Sequence, residues 1–296
     1  MAKKVLIRSD SSSRIGLGHI KRDLVYASRL QDIELSFAVQ DLDGNINNTI
    51  PFPLHILKTP NCDELIDLCH HLKVEHLIID NYSISYEDEK KIKDSCALFL
   101  SVFDDTYEKH YCDEVINHNI GANAIKYKRL IPITAKISLI EPLIRDEFKK
   151  IELRDRQKDK NKQFNIFICM GGVDSKNLTP AILEVCQQFH NVQMHIITTS
   201  LNNNLPLLKK KIKSINNAEL YIDTNEMAHL MNKSDLAIIT PSVILHEVMF
   251  MKLPFIVIKS ASNQNDIYSY LKEEGFNVLE EFKEKDLYEL LLKEIV

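Results

Sequence analysis

The residues best suited to chemistry lie near the start of the 296-residue chain, in Arg8-Ser-Asp-Ser-Ser-Ser-Arg-Ile-Gly-Leu-Gly-His-Ile-Lys-Arg-Asp23. This stretch follows the apolar run Val5-Leu6-Ile7 and leads into Ile20, Leu24, Val25, Ala27 and Leu30, whose spacing is helical. The order is strand, small-residue loop, helix. Gly16 and Gly18 would permit loop torsions that a side chain forbids. His19 falls in the first helical turn, where the partial positive charge of the helix terminus disfavours an imidazolium. A histidine kept neutral near pH 7 can accept a proton, which makes His19 a candidate general base. Ser11, Ser12, Ser13, Arg14, Lys21 and Arg22 add polar donors beyond what a turn needs. The plainer reading is a tight turn followed by an exposed histidine.

Further candidates recur where apolar runs end. Gly171 and Gly172 follow the run that begins at Phe164, and without side chains their backbone could approach phosphate oxygens and offer N–H groups. A structural turn is the alternative. In Ile238-Ile-Thr-Pro-Ser-Val-Ile-Leu-His-Glu247, Ser242 stands at a helix start, a natural anion site, and Glu247 could accept from both hydroxyls of a ribose. Glu247 could equally be a solvated helix residue. Asp80, Asn81 and Tyr82 end a buried run. Asp80 could orient His19 or a water, or the three could serve only in capping and packing. Asp104 and Asp105 end the next run in the same way. Asn263 and Gln264 precede a helix, for which Asn263 is a candidate cap.

The elements that must position these residues alternate along the chain. In the first half, strands are expected over Lys4 to Ser9, Glu34 to Gln40, Leu54 to Leu57, His76 to Asp80, Ala97 to Asp104 and Asp113 to Asn117. Helices are expected over Gly18 to Leu30, Cys62 to Lys73 and about Ser85 to Ser95. The second half repeats the pattern. Its strands are Phe164 to Met170, Val192 to Thr199, Ala218 to Ile222, Leu236 to Thr240, Phe255 to Ile258 and Phe276 to Leu279. Its helices are Thr179 to Phe189, Leu205 to Ile215, Asn225 to Lys233, Ser242 to Lys252, Asn265 to Glu274 and Glu284 to Ile295, with Thr224, Asn225 and Ser242 as caps. Continuous apolar strands separated by amphipathic helices predict parallel sheets covered on both faces. The fold class is therefore α/β, with two doubly wound Rossmann-like domains, 1–150 and 151–296. The charged stretch 145–163 is expected to connect them. Ligands of such sheets sit at the carboxyl ends of the strands, here expected to be a cleft across which the domains face each other.

Whole-chain numbers narrow the function classes. A net charge of −5 gives no global field for nucleic acid or an anionic membrane. No apolar run approaches the roughly 20 residues of a membrane span, and Lys3-Lys4 leads into a run too short for a signal peptide, so a cytoplasmic location is expected. The six cysteines have neither Cys-x-x-Cys spacing nor matching histidines and are expected to be buried thiols. No carboxylate or histidine cluster suggests a metal.

Taken together, Arg8 to Ser13 and Gly16-Leu-Gly-His-Ile-Lys-Arg-Asp23, with Ile78-Ile-Asp-Asn-Tyr82, Leu143-Ile-Arg-Asp-Glu-Phe148, Phe167-Ile-Cys-Met-Gly-Gly172 and Asn263-Gln264, resemble one nucleotide-sugar hydrolase family. Its members hydrolyse UDP-2,4-diacetamido-2,4,6-trideoxy-β-L-altropyranose to UDP and the free sugar in pseudaminic acid biosynthesis, which serves flagellin glycosylation. The likeness covers most of the chain. It implies a fold similar to that of GT-B glycosyltransferases, no metal or other cofactor, a UDP-sugar as the ligand, and inversion at the anomeric carbon. It implies that His19 is the base activating a water, that Gly18, Tyr82, Asn263 and Gln264 contact the sugar substrate together with Asp80, and that Gly171, Gly172, Ser242 and Glu247 hold UDP. Val243 departs from a more serine-rich family version, which weakens the phosphate contacts expected there. A GT-B glycosyltransferase using a UDP-sugar donor and a non-catalytic nucleotide-sugar-binding protein are the alternatives. A monomer is expected.

Overall fold

A computed structural model describes residues 2–156 and 163–295, and the chain divides into two compact units, Met1–Leu143 and Ile144–Val296. The first unit runs β1 (Lys3–Ser9), α1 (Gly18–Ala27), β2 (Ile33–Gln40), β3 (Leu54–Leu57), α2 (Cys62–Leu72), β4 (His76–Asp80), α3 (Tyr86–Ser95), β5 (Phe99–Phe103), β6 (Glu114–Asn117) and β7 (Lys136–Leu139). Its strands form one sheet in the order β3-β2-β1-β4-β5-β6-β7, every pair parallel. Alternate residues of β1 enter different cores. Leu6 packs with Ala38, Leu77 and Leu100 on one face, and Val5 and Ile7 with Ile20, Phe37 and Ile78 on the other. Burial on both faces is why these strands read as continuous apolar runs.

The second unit runs α4 (Asp146–Lys149), β8 (Phe164–Cys169), α5 (Thr179–Cys186), β9 (Val192–Thr198), α6 (Leu205–Ile212), β10 (Ala218–Ile222), α7 (Met227–Lys233), β11 (Leu236–Ile239), α8 (Val243–Phe250), β12 (Phe255–Ile258), α9 (Asn265–Glu273), β13 (Val278–Leu279) and α10 (Glu284–Ile295). The sheet order is β10-β9-β8-β11-β12-β13, again parallel throughout. Ile166, Ile168, Ile196 and Ile238 pack beneath α5 and under Leu287 and Leu291 of α10. Both units are doubly wound α/β domains, as expected. Among the described residues no helix is long and apolar enough to cross a membrane. All six cysteines are buried.

Several element ends fall short of their expected bounds, as at α1, α5, α6, β5 and β13, and three further local changes have a visible cause. Strand β7 was not anticipated, because Lys136-Ile-Ser-Leu139 is short and half polar. It holds the sheet edge through Glu114, whose Oε1 accepts from Lys136 Nζ at 2.8 Å and Ser138 Oγ at 2.6 Å. Helix α7 starts at Met227 rather than Asn225, since Thr224 Oγ1 accepts from the Glu226 amide in a preceding turn. Ser242 precedes α8 without capping it, its hydroxyl lying 3.2 Å from Thr240 Oγ1 instead.

The charged stretch 145–163 belongs to the second unit as far as it is described, residues 157–162 lying outside the described residues. Phe148 of α4 is fully buried. Arg154 donates to the Asp235 carboxylate and the Lys233 carbonyl. Arg156 donates to the carbonyls of Met231, Ser234 and Met251, at the carboxyl ends of α7 and α8 where the last carbonyls lack helical partners. Arg156→Ala should therefore lower unfolding stability by about 1–3 kcal/mol, read as a shift of the urea midpoint. Arg156→Lys, with a single point charge in place of the fork, should restore less than half of it.

Candidate active site

In the first sheet, connections leave β1 toward β2 and return from α2 to β4 on the other side, so the strand order reverses between β1 and β4. Ser9 pairs with Asp80 at the carboxyl ends of those strands, the place where ligands of doubly wound sheets bind. The loop from residue 10 to 17 is rigidly held there. Arg8 grips Asp10 with two bonds of 2.7 and 2.6 Å, and Asp10 also accepts from the Gln40 amide and from Asn81 Nδ2. Ser11 Oγ accepts from the Ile46 amide, Ser12 Oγ from the Arg14 and Ile15 amides, and Ser13 donates to Asp43. The serines read as surplus donors are thus committed to loop architecture. Gly16 adopts φ +85°, whereas Gly18 opens α1 without a positive φ. Gly18 therefore does not serve the torsional role expected of it, because it lies already inside the helix.

His19, second residue of α1, is only 8% exposed. Its Nδ1 lies 3.8 Å from Asp80 Oδ1, and its ring meets Tyr82 edge-on at 4.6 Å between centroids. One turn along the same face, Arg22 binds Asp80 side-on, Nε to Oδ2 at 2.6 Å and Nη2 to Oδ1 at 2.5 Å. Its remaining nitrogen donates to Asp105 Oδ2 at 2.8 Å and lies 3.5 Å from His118 Nε2. Asp105 Oδ1 in turn accepts from Tyr82 OH at 2.7 Å. His19, Asp80, Tyr82 and the backbone of Gly18 are therefore brought together, and Arg22 and Asp105 join them. The three-residue spacing of His19 and Arg22 puts both on one helix face and was the available signal for Arg22. Nothing in the sequence pointed to His118.

Burial lowers the His19 pKa from its ordinary value, and the pull of Asp80 in the opposite direction only partly offsets it. Desolvation is the largest cause and favours the neutral imidazole. Burial opposes ionisation of Asp80, yet the Arg22 guanidinium overcomes it and holds the carboxyl below the usual carboxylate range. Asp23 behaves oppositely. Burial, then the charge of Asp80, pushes it well above that range. The loop carrying Asp105 is anchored by His110, whose Nδ1 lies 2.7 Å from Glu89 Oε1 and whose Nε2 lies 3.7 Å from Asp104 Oδ2. Burial opposes the His110 charge, but Asp104 and Glu89 together raise its pKa to about 9.

The second sheet reverses order between β8 and β11. Gly171, after β8, takes φ +83°. A Cβ on Gly172 would meet Thr199 Cγ2 at 2.8 Å, and the Gly172 carbonyl accepts from the Thr198 and Thr199 hydroxyls. Gly172 is thus required for packing against the end of β9. Asp174 accepts from the amides of Leu178 and Thr179 and so anchors the start of α5. At β11, Ser242 precedes α8, which carries Glu247, 2% exposed and gripped by Arg145 with bonds of 2.6 and 2.9 Å. Arg145 opens the charged stretch that was expected only to connect the domains. Beyond the neighbouring strand β12, Asn263 is exposed, while Gln264 Oε1 accepts from the Ser260 and Ala261 amides and orders that loop. Gly171 and Ser242 thus follow the carboxyl ends of neighbouring strands, and Glu247 lies further along α8. Among the described residues no group of three or more His, Cys, Asp or Glu could hold a metal ion.

No protein-family model matches the chain. It is 39% identical over 278 residues to the UDP-2,4-diacetamido-2,4,6-trideoxy-β-L-altropyranose hydrolase of Campylobacter jejuni, covering 93% of this chain and 98% of that one. It is 26% identical over 299 residues to an uncharacterized Methanocaldococcus jannaschii protein, of which it spans 61%. Among solved structures, MurG of Acinetobacter baumannii superposes with a TM-score of 0.65 at 14% identity, covering 98% of this chain and 90% of that one. The UDP-GlcNAc 2-epimerase of Neisseria meningitidis gives 0.63 at 12% identity, covering 98% and 91%. Those two share the fold.

Asp80→Asn would leave the Arg22 charge buried beside a neutral amide and should destabilise the first unit by about 3–5 kcal/mol. Because the folded pKa of Asp80 is depressed, its stabilisation is present above the unfolded value of about 3.9 and is lost as pH falls. Urea midpoints of the wild type should thus decline in acid more steeply than those of the variant. His110 has the opposite sign, its contribution being complete below about pH 6.5 and lost as pH rises through about 9. Urea midpoints between pH 6 and 10 should fall less in His110→Gln than in the wild type.

Proposed function

The chain belongs to the UDP-2,4-diacetamido-2,4,6-trideoxy-β-L-altropyranose hydrolase family, and we propose that it catalyses that hydrolysis with His19 as the general base. The observation carrying this reading is a buried imidazole whose Nδ1 lies 3.8 Å from Asp80 Oδ1, a carboxylate itself fixed by Arg22, with burial favouring the neutral ring. In this scheme Nδ1 carries the proton and Nε2 accepts one from a water. The water oxygen bonds to the anomeric carbon as the bond from that carbon to the UDP oxygen breaks. The electron pair leaves with UDP, the anomeric centre inverts, and the imidazolium is stabilised by Asp80 until it returns its proton to solvent. Asp80 acts through His19, as the carboxylate partner of a catalytic histidine does generally. Tyr82, 51% exposed and tethered to Asp105, offers a ring to the sugar beside Gly18, and Asn263 and Gln264 add polar contacts.

The second unit supplies the nucleotide contacts in this proposal. The loop at Gly171 and Gly172 approaches the diphosphate, Ser242 adds a hydroxyl at the start of α8, and Glu247 accepts from the ribose. Departure of UDP is then assisted by backbone and hydroxyl donors.

The test is UDP release from the altropyranose substrate in the presence of chelator and without an acceptor. His19→Ala and His19→Asn should each lower kcat by about 10²- to 10⁴-fold, with UDP affinity and the melting curve unchanged. In the wild type kcat/KM should rise with pH through a midpoint below 6.5, because the lowered His19 pKa requires less base to empty it. Turnover only on addition of an acceptor would make the protein a glycosyltransferase, and binding without turnover a nucleotide-sugar-binding protein. Full activity in both variants would remove His19 from the mechanism.

A further inference from the structure

The segment Leu143-Ile-Arg-Asp-Glu-Phe148 has no part in the chemistry above, yet its arginine grips the residue assigned to the ribose. We propose that Arg145 is the positioning residue for ribose recognition: its fork holds the Glu247 carboxylate in a fixed plane, so that both oxygens can accept from the vicinal diol of a ribonucleotide. This rests on the reading that the second unit binds UDP.

Glu247 is 2% exposed on α8, a helix buried along most of its length. A carboxyl group so buried is driven toward its neutral form unless a cation faces it. In the neutral form one oxygen becomes a donor, and the group can no longer accept two hydroxyl protons symmetrically. Arg145 supplies the cation in side-on geometry, Nε to Oε1 at 2.6 Å and Nη2 to Oε2 at 2.9 Å. The fork meets each oxygen once and so fixes the plane of the carboxylate. Two acceptors on a charged, planar group match two neighbouring hydroxyls, and a charged acceptor bonds more strongly than an amide would.

The arginine is itself held in place. Nη1 pairs with Glu147 Oε1 at 2.7 Å, and the guanidinium lies 5.0 Å from the ring centroid of Phe148, which is fully buried. Burial works against its charge, but Glu247 more than compensates and keeps it firmly protonated. Arg145, Glu147 and Phe148 therefore form one unit whose free edge is the fork on Glu247. Lysine could supply the charge but not the plane.

The proposal is tested by calorimetric titration of UDP and 2′-deoxy-UDP into the full-length wild type, Arg145→Lys, Arg145→Met, Glu247→Gln and the Arg145→Met/Glu247→Gln double variant, with melting curves for each. The wild type should prefer UDP about tenfold, the size of one lost hydrogen bond to a charged group. Arg145→Met should bind UDP about tenfold more weakly and 2′-deoxy-UDP nearly as before, so the preference collapses toward one. Arg145→Lys should fall between, and the double variant should be no worse than either single one. A wild-type preference retained in Arg145→Met, or in Arg145→Lys should the methionine variant not fold, overturns the proposal. So does an equal loss of both nucleotides, which would mark Arg145 as a general structural support. Failure of the wild type to bind UDP at all would overturn the nucleotide reading and this one with it.

Discussion

The buried guanidinium of Arg22 is the constraint around which the first unit is arranged. A charge removed from water must be matched almost completely by its surroundings, and here the match comes from three separate strand ends. Asp80 closes β4, Asp105 follows β5 and His118 follows β6, while Arg22 itself rises from α1. Misplacing any one of these loops would remove a partner from the buried guanidinium, so their positions are coupled through it. His19, one turn earlier on α1, inherits that rigidity. The same packing buries the imidazole, and that burial, with the nearby Arg22 charge acting in the same direction, favours its neutral form against the pull of Asp80.

The two units apply one architecture to different tasks. In each, the loop after the first strand turns through a glycine with positive φ, Gly16 at +85° and Gly171 at +83°. In the first unit the helix begins almost at once and carries His19 and Arg22 on its opening turns. In the second, the glycine comes early in the loop, and Asp174 ties the remainder to α5, which begins only at Thr179. The first arrangement presents side chains at the sheet edge and the second presents backbone. Fold alone does not decide chemistry, and here the difference lies in where the glycine falls between strand and helix.

Much of the scaffold was legible because strands buried on both faces cannot hide. β4, β10 and β12 have the bounds expected of them, as does α10, whose apolar residues recur at helical spacing. β7 escaped because an edge strand of four residues with lysine and serine carries almost no periodic signal. At the candidate site, His19 stood out from its glycine-rich surroundings, but spacing could not show what the polar side chains would bond. Ser11, Ser12, Ser13 and Arg8 are all occupied within the loop or its neighbours. Arg22 and Arg145 acquire their meaning from partners 58 and 102 residues away. Residue types in a motif show which donors are present, and only the tertiary pairing shows which are already taken.

Each sheet is assembled from an uninterrupted stretch of chain. All seven strands of the first lie before residue 140, and α10, the last helix, packs into the core of its own unit through Leu287 and Leu291. No strand of the first sheet waits for a later segment. Parallel sheets close slowly, since every neighbouring pair must be joined by a long crossover. Contiguity removes one part of that delay on the ribosome, where domains fold as units from the amino-terminal end. The Arg22 network, whose members all precede residue 119, can therefore be complete while the second unit is still being synthesised.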